Sequence, residues 1–117
     1  MENPREILKD SSEGFVEFNK SNGEQMKVFS DLMGTLFKDG TLDVKTKELI
    51  SVAIGIYNRC KYCIVGHSYK ALRSGASPEE IMEAAMVAVA FGGGPSMAYS
   101  VTLLRKSLEE FKSDFNK

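Results

Sequence analysis

Tryptophan is absent, histidine occurs once, cysteine twice and proline three times in 117 residues. One histidine and one cysteine pair leave no second knuckle for an ordinary structural zinc site. Two cysteines spaced C-x-x-C also make no secreted disulfide framework. Neither sign of charge dominates: 15 Lys and Arg stand against 16 Asp and Glu, a formal net charge of −1. Nothing in that balance attracts a polyanion, so nucleic acid is not an expected partner. Long hydrophobic runs are lacking too. The segment Met1-Glu2-Asn3-Pro4-Arg5-Glu6 is charged with no apolar core behind it, which gives no signal peptide, and the greasiest run, Ala84 to Phe91, is too short to cross a bilayer. These features lead to the expectation of a soluble cytoplasmic protein with no membrane partner.

The alternation of a half-buried strand is also missing, whereas apolar residues at helical spacing occur almost throughout. The expected fold is all-α, about six helices in a single domain over residues 1–117. The first two helices are expected over about 4–19 and 24–37, with a turn at Lys38-Asp39-Gly40-Thr41. Asp43 suits the N-cap of a third helix reaching about Tyr57. That helix is apolar on nearly every side (Leu49, Ile50, Val52, Ala53, Ile54, Ile56), the pattern of a buried central helix. Asn58 and Arg59 interrupt it, and a fourth helix carrying the cysteines should end at Gly75. Ser77-Pro78-Glu79-Glu80 has the form of a capping box with proline at the first helical position. The helix it opens should stop at Gly92-Gly93-Gly94. A last helix from Pro95 then presents Met97, Val101, Leu104, Leu108, Phe111 and Phe115 as one stripe. This stripe and the buried third helix offer more apolar face than a small monomer covers, so self-association is expected.

The chemistry concentrates in Cys60-Lys61-Tyr62-Cys63 and His67, with Glu48 twelve residues before Cys60. At about 100° per residue, Cys60, Cys63 and His67 fall within roughly 60° of arc on one helical face. His67 is one turn beyond Cys63, and helical side chains lean toward the N-terminus, so the imidazole leans toward the Cys63 sulfur. Cys60 falls near the helix start, where unpaired N–H groups and the dipole favour an anion. One turn also separates the two cysteines by a distance that a disulfide can bridge. A free thiol with a pKa of about 8.5 is only a few per cent thiolate at neutral pH; a helix N-terminus, an imidazole and a carboxylate relay can raise that fraction. Glu48 lies where the charged start of the third helix becomes core, a place for a carboxylate that shuttles a proton. Tyr62 points away from the thiol face and fits a core or subunit contact. The bland alternative is two buried thiols with an incidental histidine; zinc held by Cys60, Cys63, His67 and Glu48 is the sharper rival.

The runs Asp43-x-x-Thr46-Lys47-Glu48-Leu49-Ile50, Cys60-Lys61-Tyr62-Cys63-Ile64-x-x-His67 and Gly75-Ala76-Ser77-Pro78-Glu79-Glu80-Ile81 resemble the alkyl hydroperoxidase D-like proteins of the carboxymuconolactone decarboxylase superfamily. Gly92-Gly93-Gly94-Pro95 followed by Tyr99 fits as well, and the likeness covers about residues 25–110. The resemblance implies a helical fold assembled as a homotrimer or homohexamer, with thiol-dependent peroxidase or disulfide reductase activity. It implies that Cys63 attacks peroxide, that Cys60 resolves, that Glu48 and His67 relay protons, and that Tyr62 matches a tyrosine often found between the cysteines. The substrate would be a hydroperoxide or disulfide. No flavin, haem or nicotinamide motif is visible, so no cofactor or metal is expected, and electrons would come from an external dithiol of the lipoyl, thioredoxin or glutathione type. Two alternatives stay open. One is a helical module whose cysteines sense oxidation or bind zinc without turnover. The other is a decarboxylase-like enzyme using Glu48 and His67 on a small organic acid.

Overall fold

The computed structural model describes residues 2–115. Among these, every regular element is helical: α1 (Pro4–Ser21), α2 (Gly23–Leu36), α3 (Val44–Asn58), α4 (Lys61–Arg73), α5 (Pro78–Tyr99), a π-helical turn (Ser100–Leu104) and α6 (Arg105–Phe115). The local signals account for most of the boundaries. Asn3 caps α1 by accepting the Arg5 N–H, with Pro4 in the first turn. Asp43 caps α3 by accepting the Thr46 N–H at 2.8 Å, which holds its carboxyl below the usual range. Ser77 and Glu80 form both halves of the capping box, and the bond to Ser77, with Lys45 beside it, keeps the Glu80 carboxyl low as well. Gly75 takes a φ of 97° just past the end of α4, a conformation that glycine adopts without penalty.

Helix α3 is the hub, packed against both α4 and α5. Ile56 of α3, Ile64 of α4, Ile81 of α5, Leu104 of the π-turn and Phe111 of α6 are almost wholly removed from solvent. The ends of the chain are tied together. Arg5 pairs with Asp114 at 3.0 Å and lies over the Phe111 ring, while Tyr69 of α4 meets Phe111 and Phe115 edge-on.

Three expectations change. Helix α3 is not buried on every side: Ile50 and Ile54 are 44% and 54% exposed, because α4 and α5 cover two faces and leave a third open. The late stripe is not a free association face either. Leu104, Leu108 and Phe111 close the chain's own core, and only Met97 and Val101 remain exposed. Third, the helical run from Pro78 to Phe115 is long and apolar enough to cross a membrane by length and composition, which a count of uninterrupted apolar residues does not register. Gly93 interrupts it with φ 63° and ψ −140°, so the glycine run does break the backbone where expected, and the two parts pack on α3 and on α4. The π-turn carries no sequence signal.

Candidate active site

The site is built where α3 gives way to α4 with only Arg59 and Cys60 between them. Arg59 turns into the left-handed region at φ 55°. Its N–H reaches the Ile56 carbonyl at 3.2 Å and that of Cys60 reaches Gly55 at 3.0 Å, the two bonds of a Schellman termination. Cys60 closes one helix and opens the next: its carbonyl accepts the Ile64 N–H and its sulfur accepts the Cys63 N–H at 3.3 Å. The expected position of Cys60 at a helix start is thus a true N-cap, with a backbone donor aimed at Sγ.

Cys63 is one turn further along, its Cα 5.2 Å from that of Cys60, and the two are joined as a disulfide. Cys63 lies against α3 at Gly55. A Cβ added there would stand 3.0 Å from the Cys63 Cβ and 3.2 Å from the Ile64 nitrogen, so any larger residue would push the two backbones apart by a few tenths of an ångström. Glycine inside a helix is disfavoured by about 1 kcal/mol relative to alanine and asks for such a reason. Glu48, Val52, Gly55 and Ile56 are the buried residues of α3. Glu48 lies two turns before Gly55, as His67 lies one turn after Cys63, and the pairings Gly55 with Cys63 and Glu48 with His67 make the helices antiparallel.

Glu48 is 4% exposed and its Oε1 is 2.6 Å from Nδ1 of His67, whose side chain is 20% exposed. The bond engages Nδ1 and one carboxylate oxygen, so Nε2 is the ring nitrogen left for another partner. A buried carboxylate orienting an imidazole beside a cysteine pair is equipped to hold and move a proton for thiol chemistry. Tyr62 departs from a core role: it is 46% exposed beneath the Lys61 ammonium. A hydrogen bond to Glu2 raises the Lys61 pKa. The Tyr62 ring also lines an open apolar depression of about 460 Å³ with Phe15, Phe18 and Met26. Among the described residues, no group of three or more His, Cys, Asp or Glu is arranged to hold a metal ion.

Sequence reasoning misses two neighbours of the site. Gly55 has a signal, a lone glycine between two isoleucines inside a helix. Phe37, stacked on His67, has none.

An all-helical domain with a cysteine pair at one helix start and a Glu–His pair bridging to its neighbour is the class that these features define. Residues 24–106 match the carboxymuconolactone decarboxylase family, and the chain belongs to it. It is 37% identical over 90 residues to "Uncharacterized protein 4 in cox locus" of Paracoccus denitrificans, covering 77% of this chain and 81% of that one. It is 30% identical over 93 residues to an uncharacterized protein of Cupriavidus necator, covering 80% and 82%. The crystal structure of apo-lpg0406, a family member from Legionella pneumophila, superposes with a TM-score of 0.88 at 39% identity over 93% of this chain and 96% of that one. A Thermotoga maritima member, suggested to take part in an antioxidative response, superposes with a TM-score of 0.64 at 33% identity over 88% and 97%. The membership agrees with the resemblance to alkyl hydroperoxidase D-like proteins.

Proposed function

We propose that this protein is a thiol-dependent oxidoreductase that reduces hydroperoxides or disulfides through a Cys60–Cys63 cycle. The observation that carries this reading is the junction itself: a disulfide spanning one helical turn, with the hydrogen-bonded Glu48–His67 pair one turn away. The response suggested for the Thermotoga relative supports it.

In the cycle, the Cys63 thiolate attacks the terminal oxygen of a hydroperoxide. The O–O bond breaks, the alkoxide leaves with a proton delivered through His67, and Cys63 becomes a sulfenic acid. Cys60 then attacks that sulfur, the S–S bond forms and water departs with the Cys60 proton. An external dithiol of the lipoyl or thioredoxin type, or two glutathione thiols, then reduces the disulfide by exchange. His67 returns a proton to the departing Cys63 thiolate, and the reductant leaves as a disulfide with both protein thiols restored. Glu48 holds His67 in the orientation that leaves Nε2 free. The cytoplasm, where dithiol reductants are kept reduced, suits such a cycle. The reading includes assembly as a homotrimer or homohexamer through the exposed apolar faces of α2, α3 and α5.

Cysteine variants test the cycle. Cys63→Ser should consume no peroxide. Cys60→Ser should consume one equivalent and stop, with Cys63 held as a sulfenic acid that dimedone labels. If Cys60→Ser is instead the variant inert to peroxide, the two cysteines exchange roles and the N-cap thiolate is the attacker. Two free thiols persisting in the wild-type protein after peroxide treatment would sink the cycle altogether.

A further inference from the structure

Between Gly34 and Asp43 every residue is exposed except Phe37. Phe37 closes α2, donating its N–H to the Met33 carbonyl at 2.9 Å, and its ring lies on the imidazole of His67. The centroids are 5.7 Å apart and the planes 16° from parallel, an offset-stacked arrangement. The exposed segment around it is tied down at several points. The Lys47 ammonium donates to the carbonyls on either side of Phe37, those of Leu36 at 2.9 Å and Lys38 at 2.7 Å. Asp39 accepts the Val44 N–H at 2.8 Å, and the Gly40 N–H reaches the Leu42 carbonyl at 2.9 Å. Lys47 and Glu48 are consecutive. The same turn of α3 therefore holds the carboxylate on Nδ1 of His67 and the clamp that sets the ring over its face.

We infer that Phe37 is a positioning residue for His67, with Lys47 as its clamp. A single hydrogen bond at Nδ1 fixes one atom of the imidazole and leaves the ring free to pivot about it. A flat ring stacked on one face fixes the plane, and together the two aim Nε2. The stack also keeps water off that face. The chemical consequence rests on the dithiol chemistry proposed above; the geometry does not.

His67 is the only histidine in the sequence, so proton NMR reads its ring hydrogens without ambiguity. In the wild-type protein they should lie upfield of a free imidazole, under the Phe37 ring current. Phe37→Leu keeps apolar bulk but loses the flat ring. It should return those resonances toward the free position and slow reduction of the Cys60–Cys63 disulfide by dithiothreitol by roughly ten- to a hundredfold, the scale of a misoriented catalytic group. Phe37→Tyr should retain both properties. Lys47→Met, which keeps the phenyl ring but removes the bonds that hold its segment, should fall between. The inference is overturned if Phe37→Leu leaves the His67 resonances at their wild-type positions. It is equally overturned if they move and the reduction rate does not. A wild-type protein that reduces no hydroperoxide with any dithiol would defeat the proposed activity, while these two measurements would still decide the role of Phe37.

Discussion

The two helical hairpins of this chain are built on opposite principles. In the α3–α4 hairpin a glycine brings two backbones into contact, a cysteine caps one helix as it ends another, and a buried carboxylate bridges to an imidazole. In the α1–α2 hairpin, α2 buries none of its residues, and its capping residue Asn22 makes no side-chain cap bond. The stacked pair Phe15 and Phe29 links its helices, while Phe18, Val28, Leu32 and Leu36 face outward. Both hairpins carry apolar residues at helical spacing. The difference shows that periodicity fixes which face of a helix is apolar and leaves open what covers it. The first hairpin closes on itself at the Gly55–Cys63 and Glu48–His67 contacts, although one face of α3 stays open. The second leaves the apolar residues of α2 exposed, and the two meet where α1 packs on α4 and where Phe37, at the end of α2, stacks on His67.

The largest effect should come from breaking the bridge within the α3–α4 hairpin. Glu48→Gln keeps a hydrogen-bonding side chain but removes the charge that orients His67, and His67→Gln removes the proton carrier. Each should lower peroxide turnover by roughly 10²–10⁴-fold, the usual scale of general acid–base assistance, while a disulfide still forms on prolonged oxidation. Stopped-flow turnover together with mass analysis of the oxidised chain separates the two readouts. A Glu48→Gln variant with wild-type turnover would remove the relay from the mechanism.

Leu32→Glu tests the other hairpin. Leu32 is exposed in the chain, so the change should leave the melting of an isolated subunit almost untouched. In an assembly that covers α2 it buries an unpaired charge, and sedimentation should show the wild-type oligomer falling to smaller species. Wild-type protein sedimenting as a monomer at micromolar concentration would show that α2 is not an interface.

Gly55→Ala should act on stability and on the thiols together. The added methyl meets the Cys63 Cβ and backbone, which cannot withdraw as a flexible side-chain tip would. Overpacking of this kind costs about 1–3 kcal/mol, of which the better helix propensity of alanine returns about 1 kcal/mol. Denaturant unfolding should show the net loss, and the disulfide should become easier to reduce as α4 is pushed off α3. Unchanged stability would mean that the helices separate freely at this point.

The same contrasts divide what is legible in the sequence from what is not. The helix boundaries are legible because their signals are local: Asp43 and Ser77 as caps, Gly75 as a terminator, and the glycine run that breaks the backbone at Gly93. Cys60 and Cys63 fall on one helical turn by spacing alone. Cys60 as the cap itself, rather than a residue near the helix start, depends on Arg59 adopting a conformation that its side chain does not advertise. Membership of the site by Glu48 follows from the resemblance more than from spacing, since an acidic residue in the first turns of a helix is common for reasons of the dipole. Phe37 is illegible: nothing local separates an aromatic that ends an exposed helix from one that stacks on a distant imidazole. The open faces of α2 and α3 are invisible for a related reason, because burial is a property of the partner and not of the stripe.

The smallest effect concerns the hinge of the α3–α4 hairpin. Arg59 occupies the position where a Schellman termination ordinarily carries glycine, and its left-handed backbone costs an ordinary residue about 1–2 kcal/mol. Arg59→Gly relieves that strain but adds freedom to the unfolded chain, which offsets roughly half of the gain. A net stabilisation of about 0.5–1 kcal/mol is expected, a rise of a few degrees in Tm. The bonds from residues 59 and 60 back to Ile56 and Gly55 involve only backbone, so both survive the change. The Cys60 sulfur should keep its N-cap bond, and the rate of disulfide reduction should stay at the wild-type value. A lower Tm would show that the arginine side chain itself holds the junction. A faster reduction at unchanged Tm would show that the strain at Arg59 is transmitted to the cysteine pair, making the hinge a part of the redox machinery and not only its mount.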